Sequence, residues 1–253
     1  MFRRLDAIRI VDTARRLQHR IEERFPGSGL SGVARDIVSV ADEAMTLSHW
    51  LARPHRFIRA TTVVGSLFVV VSVVTAMIQL RAQSGPRSWS DWVQSTEAFV
   101  NDLVFVGIAV YFLLGLEVRW KRARALGALH VLRSLAHIID MHQLTKDPDR
   151  TSGVRKDTAS SPRATLTAFE LTRYLDYCSE LLAIVSKIAA LYVQELADPP
   201  TVAAASGVEE LCVGLSRTIW QKIVILDRVM TPASQRALTA EEQGWRDAAN
   251  GSE

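Results

Sequence analysis

The sequence predicts an all-α membrane protein, a two-helix transmembrane hairpin with a cytoplasmic helical bundle and coiled-coil-like region. Three observations predict it. The first is the run from Ile58 to Leu80, whose only charge is Arg59 near its start. At 1.5 Å per residue, roughly 20 uncharged positions cover a hydrocarbon layer about 30 Å thick. A buried helix of a soluble protein normally keeps a polar face, and this run has none. The second is the apolar stretch Leu103 to Leu116, which supplies the other arm. The third is the spacing of apolar residues elsewhere, which steps by three and four, the period of an amphipathic helix.

Residues 3 to 24 read as a basic amphipathic helix with Leu5, Ile8, Val11, Leu17, Ile21 and Phe25 on one side. Pro26-Gly27-Ser28-Gly29 breaks it. Leu30, Val33, Ile37, Val40, Ala44, Leu47 and Leu51 then form a heptad stripe. The short break folds these two helices into an antiparallel hairpin; the alternative for the first helix is to lie flat on anionic lipid. Pro54 ends the second, so residues 1–54 are an N-terminal helical hairpin and 55–118 the transmembrane one.

The spans are expected at about 57–80 and 99–118. Ser66, Ser72 and Thr75 return their hydroxyls to carbonyls of the preceding turn and cost little in lipid. Between the spans, Gly85-Pro86 marks a turn, and Trp89 and Trp92 sit as an interfacial anchor. Asn101 and Asp102 extend the second span toward the outer interface. A carboxylate there costs less than the roughly 2.5–3.5 kcal/mol charged at a bilayer centre. Arg53, Arg56 and Arg59 precede the first span, and Arg119, Lys121, Arg122 and Arg124 follow the second; the connecting loop has only Arg81 and Arg87. That bias puts both termini in the cytoplasm. The N-terminal MFRRLDAIRIVDTARR is too charged for a signal-peptide core, so the first span is expected to act as its own uncleaved signal.

Residues 119–231 read as three cytoplasmic helices at 119–146, 167–197 and 201–231. From Arg119 to Leu144 only Gly127 interrupts the pattern, so the second span is expected to continue into the first of these helices. A polar loop covers 149–164, and Thr167-Ala168-Phe169-Glu170 then has the spacing of a capping box. The helix it opens carries two apolar rows. One runs Leu171, Leu175, Cys178, Leu182, Val185, Ala189, Tyr192 and Leu196; the other runs Tyr174, Tyr177, Leu181, Ile184, Ile188 and Leu191. Two adjacent rows make a face wide enough to touch at least two neighbours. Asp198-Pro199-Pro200 interrupts it, and a last helix carries Val208, Leu211, Leu215, Ile219, Ile223, Leu226 and Met230. Pro232 is expected to end that helix, leaving 232–253 as a flexible tail.

The chain has 253 residues and a net charge of +3, without the basic face and interleaved aromatics of a nucleic-acid binder. Cys178 and Cys212 lie in apolar helical patterns and read as buried free thiols. Phosphate-cradling glycine loops, nucleophile elbows, H-E-x-x-H pairs and zinc ribbons are all missing, so no cofactor is expected and an enzyme is the lesser expectation. The nearest constellation is HVLRSLAHIIDMHQL, where His130, His137 and Asp140 share one arc of a helix. His142 turns about 140° from His137, toward the apolar side. The first three suit either a His–Asp hydrogen bond or a metal completed from another helix. Asn101 and Asp102 are pore-lining candidates if copies assemble.

Over the hairpin and its juxtamembrane helices, the layout resembles prokaryotic two-span effector proteins of the SLATT type, and that resemblance implies pore formation in defence systems. The expected function is that of a non-enzymatic integral protein of a bacterial inner membrane. Its cytoplasmic bundle would self-associate into a homo-oligomer, as a pore-forming or scaffold component in the lipid bilayer. The alternatives are a metal-binding sensor or enzyme built on the His/Asp cluster, and a membrane adaptor that docks a soluble protein partner on the basic first helix.

Overall fold

A computed structural model of the chain describes residues 4–53, 56–82, 89–146, 148 and 166–250, and among these every regular element is an α-helix. The helices are α1 (Ala7–Arg24), α2 (Gly29–Ala52), α3 (Arg56–Ala82), α4 (Trp89–Leu114), α5 (Leu116–Leu144), α6 (Ala168–Glu195) and α7 (Pro199–Asn250). The polar loop expected at 149–164 lies outside the described residues. The chain divides into two units, one of Met1–Trp50 with Leu126–Glu253 and one of Leu51–Ala125.

In the first unit, Asp6 caps α1 by accepting a hydrogen bond from the Ile8 N–H. The helix buries Ile10, Val11, Ala14, Leu17 and Ile21. Leu5 and Ile8, expected on that face, are exposed. Leu5 precedes the cap, and Ile8 is turned about 160° round the axis from Ile10. The turn into α2 passes through Gly27 at φ 65°, a left-handed conformation that glycine adopts without a Cβ penalty. The two helices run antiparallel: Arg15 pairs with Asp42 at 2.9 Å and Glu22 with Arg35 at 3.7 Å, so one partner number rises as the other falls.

On α2 the buried positions are Leu30, Ser31, Val33, Ala34, Ile37, Ala41, Ala44, Ser48 and Leu51. The row Leu30, Ile37, Ala44, Leu51 matches the heptad reading, while Val40 and Leu47 are only half-buried. The second buried row is Ala34, Ala41 and Ser48, one turn beyond Leu30, Ile37 and Ala44, so the covered face lies on the other side of the first row from Val40 and Leu47.

The capping box forms as its spacing predicts. Glu170 donates its N–H to the Thr167 hydroxyl, and the Glu170 carboxylate accepts from the Thr167 N–H at 2.8 Å. That backbone hydrogen bond holds the Glu170 carboxyl below the usual carboxylate range. Both rows of α6 are buried over 13 positions from Leu171 to Tyr192, and the helix packs against both α1 and α7. Only Leu196, at the C-cap, is half-exposed. Asp198 starts α7, its carboxylate accepting from the Thr201 N–H and hydroxyl, with Pro199 at the first helical position. The helix buries Ala205, Val208, Cys212, Ile219 and Leu226, with Leu211, Leu215 and Ile223 half-buried. It does not end at Pro232, as expected from the sequence, but runs through it to Asn250. An interior proline removes one backbone hydrogen bond, and the alanine-, glutamine- and glutamate-rich sequence beyond it favours continued helix.

In the second unit, α3 packs on α4. The latter begins at Trp89, well before the expected start at 99, so Trp89 lies on a helix rather than in a loop. The expectation of one unbroken helix through 118 is also corrected: α4 ends at Leu114, and the axis turns 45° before α5. Gly115 stands at the bend and keeps its backbone hydrogen bonds, its N–H to Tyr111 and its carbonyl from Arg119. A residue without a side chain accepts such a kink at low cost.

Leu182 on α6 has no exposed surface. Leu182→Ala should lower unfolding free energy by about 2–5 kcal/mol in a denaturant titration followed by circular dichroism. Val213→Ala, on the exposed face of α7, should shift it by no more than about 0.5 kcal/mol.

Candidate functional site

Large apolar side chains of α3 and α4 point away from their mutual contact. Phe68 is 71% exposed, Val64 65% and Phe105 63%, and Leu67, Val71, Leu103 and Ile108 are exposed with them. The Thr75 hydroxyl donates to the Val71 carbonyl at 2.8 Å, as expected, but the buried Ser66 hydroxyl, expected to do the same, finds no hydrogen-bond partner among the described residues. Asn101 and Asp102 are exposed on α4. Among the described residues no single helix is long and apolar enough to cross a membrane. The bent pair Val100–Leu114 and Leu116–Leu144 meets that standard together, by length and composition, and Ala60–Thr75 is a shorter apolar helix.

The same unit holds a buried ion pair. Lys121 Nζ lies 3.1 Å from Glu117 Oε1, one helical turn away, and both side chains are about nine-tenths buried. It also donates to the carbonyls of Leu51 and Arg53, each at 2.9 Å. An ammonium has three N–H donors, and each finds an acceptor here. The Leu51 carbonyl is one of the terminal groups that α2 leaves without an intrahelical partner, and a cation suits that negative end of the helix. Lys121, one of the cations expected to flank a membrane, keeps its ammonium buried and paired within this unit. The Glu117–Lys121 spacing was visible in the sequence, but the α2 carbonyls that draw the lysine in were not.

The other flanking cations divide. The Arg119 guanidinium lies 3.9 Å over the Phe112 ring, and that of Arg124 4.9 Å over Trp120. Arg122 is half-buried, and the Arg53 side chain is exposed. Arg56 and Arg59 fall in the first turn of α3, and their side chains lie outside the described set.

On α5, His130 and His137 are exposed and Asp140 is half-buried. The Asp140 carboxylate accepts from Gln143 Nε2. Gln143 in turn accepts from Lys222 Nζ, at 2.6 Å on its side-chain oxygen and 2.8 Å on its carbonyl. This chain ties the end of α5 to α7, and sequence patterning gave no sign of it. His142 packs against Gly29, its ring occupying the space that a Cβ there would need. Among the described residues, no group of three or more His, Cys, Asp and Glu side chains could hold a metal ion.

Cys178 and Cys212 are buried free thiols, as their apolar settings predict. Burial pushes Cys178 up to about 12, against the weaker downward pull of Lys222 and Lys146. It pushes Cys212 up to about 11. Thiols held protonated this firmly make poor nucleophiles.

A comparison with protein-family models returns no match, and none is found among curated proteins or solved structures.

Lys121→Ala leaves Glu117 buried beside unsatisfied carbonyls. It should cost about 3–5 kcal/mol in a denaturant titration. Changing both partners, Lys121→Met with Glu117→Leu, should recover part of that loss. The thiols give a pH dependence. Their folded pKa values exceed the ordinary value of 9.0, so the folded chain binds more protons than the unfolded one above that pH. Stability should therefore fall as pH rises from about 9 toward 12. The fall should be smaller when both cysteines are replaced by alanine, as read by thermal unfolding across that range.

Proposed function

We propose that the chain is a non-enzymatic integral membrane protein, with α3 and α4 as a transmembrane hairpin, both termini in the cytoplasm, and self-association through its helices. The observation that carries this reading is the outward-facing apolar surface of α3 and α4. Burying one Val, Leu, Ile or Phe side chain is worth about 1.5–3 kcal/mol relative to leaving it in water. A hairpin that displays a whole set of them is at home in lipid, where that penalty vanishes.

The helix lengths support it. At 1.5 Å per residue, the 27 residues of α3 extend about 40 Å, past the hydrocarbon thickness of about 30 Å. Its apolar stretch Ala60–Thr75 is followed by Ala76 to Leu80, which add no charge before Arg81. Basic residues cluster before α3 and after α4, which favours cytoplasmic termini. Near that boundary the Glu117–Lys121 pair carries no net charge, a favourable state for ionisable groups beside lipid.

Exposed Asn101 and Asp102 on α4 would line a polar path between assembled copies, which makes a pore-forming or scaffold component the finer form of the proposal. After cell disruption, the protein should sediment with membranes, resist an alkaline carbonate wash and enter solution only with detergent. Recovery in the aqueous fraction would overturn the membrane reading. Native mass measurement in detergent should show multiples of the 28.1 kDa chain. Monomer alone at every detergent concentration would overturn self-association.

A further inference from the structure

We propose that the cavity between α1 and α6 binds a single-chain amphiphile with an anionic head, a long-chain carboxylate anchored by Lys187. The two helices run antiparallel and are clasped at both ends of their seam. At one end Arg4 pairs with Glu195 at 2.8 Å, and the Leu5 N–H donates to Gln194 Oε1 at 2.7 Å. At the other, Arg20 reaches Glu180 through both guanidinium nitrogens, at 2.9 and 3.3 Å. That hydrogen bond raises the Arg20 pKa further and keeps the clasp charged.

Between the clasps the seam opens into a cavity of about 630 Å³. Ile10, Leu17 and Ile184 form its floor, all buried core residues. The volume lies within the range of small-molecule sites, and an apolar floor flanked by the polar and charged Arg4, Asp6, Arg9, Thr13, Glu180 and Lys187 suits an amphiphile rather than a wholly apolar ligand.

Charge along the lining selects the head group. The Glu180 carboxylate is taken by Arg20, and Arg4 by Glu195. Asp6 is shared between the Ile8 N–H and Arg9. Lys187 also lines the cavity, donating to the Ala183 carbonyl of its own helix at 3.2 Å, and among the described residues no carboxylate pairs with it. The local surplus is therefore one positive charge on an ammonium beside an apolar trough. Of the arginines at the seam, Arg20 gives both guanidinium nitrogens to Glu180, Arg4 gives one to Glu195, and the Arg9 Nε lies 3.4 Å from Asp6, so each already faces a carboxylate and Lys187 does not. A lysine point charge suits a monoanion, and the trough suits its alkyl chain.

The site lies wholly in the unit of Met1–Trp50 and Leu126–Glu253, so it stands apart from the membrane reading of α3 and α4. The test uses the full chain in a neutral detergent, irradiated with a diazirine-bearing palmitate analogue and mapped by peptide mass spectrometry. Label is expected on peptides from α1 and α6, removed by excess palmitate but not by the corresponding uncharged alcohol. Lys187→Glu should reduce that label about tenfold, equivalent to about 1.4 kcal/mol, and Lys187→Arg should retain it. Ala183→Trp fills the cavity from an exposed lining position and should abolish labelling with the helical circular dichroism unchanged. Equal labelling of the Lys187→Glu protein, or equal competition by the alcohol, overturns the proposal. So does label confined to α3 and α4, an outcome that would still favour the hairpin as lipid-facing.

Discussion

The wide apolar face of α6 is the constraint on which the first unit depends. A helix with 13 buried side chains over two rows cannot be covered by one neighbour, and it meets α7 on one side and α1 on the other. Aromatic packing completes the α1 side. Phe25, at the end of α1, meets Tyr174 and Tyr177 edge-on with ring centroids 5.4 and 6.2 Å apart. Arg20 and Arg173 lie over the Tyr177 ring, and burial pushes the Tyr174 hydroxyl above its usual range. The arginines Arg4, Arg15 and Arg20, which made the first helix look like a docking surface, each answer a carboxylate of this same unit.

Helix ends raise a second constraint, because terminal carbonyls need partners that the helix itself cannot supply. The chain meets it twice by the same means. Lys121 closes the end of α2, and Lys222 closes the end of α5 through Gln143. A lysine is well suited to this, since its long apolar stem crosses packed surface while its ammonium donates to several oxygens at once. Burial of such a charge is tolerated only when its donors are satisfied, and at Lys121 a carboxylate also compensates the charge.

The two units treat apolar surface in opposite ways. The first withdraws it into a core around α6, with a cavity between clasped helices. The second turns it outward along α3 and α4. The proposal of a lipid-facing hairpin rests on that outward turn, and the amphiphile site on the cavity. Each stands on its own observation.

Helical class, the capping box at Thr167 and the double row of α6 were legible in the sequence because they depend on local spacing. A cap requires a hydroxyl and a carboxylate three residues apart, and a buried face requires a period, and both are written in order along the chain. The burial of both cysteines followed from the same periodicity. Features that depend on a partner distant in the chain were decided only by the tertiary structure. Lys121 looked like one more cation until the α2 carbonyls came beside it, and Asp140 looked like a histidine partner until Gln143, itself held by Lys222, donated to it. The bend at Gly115 and the passage of α7 through Pro232 belong with these. Glycine and proline set what a backbone permits, whereas the packing around them sets what it does.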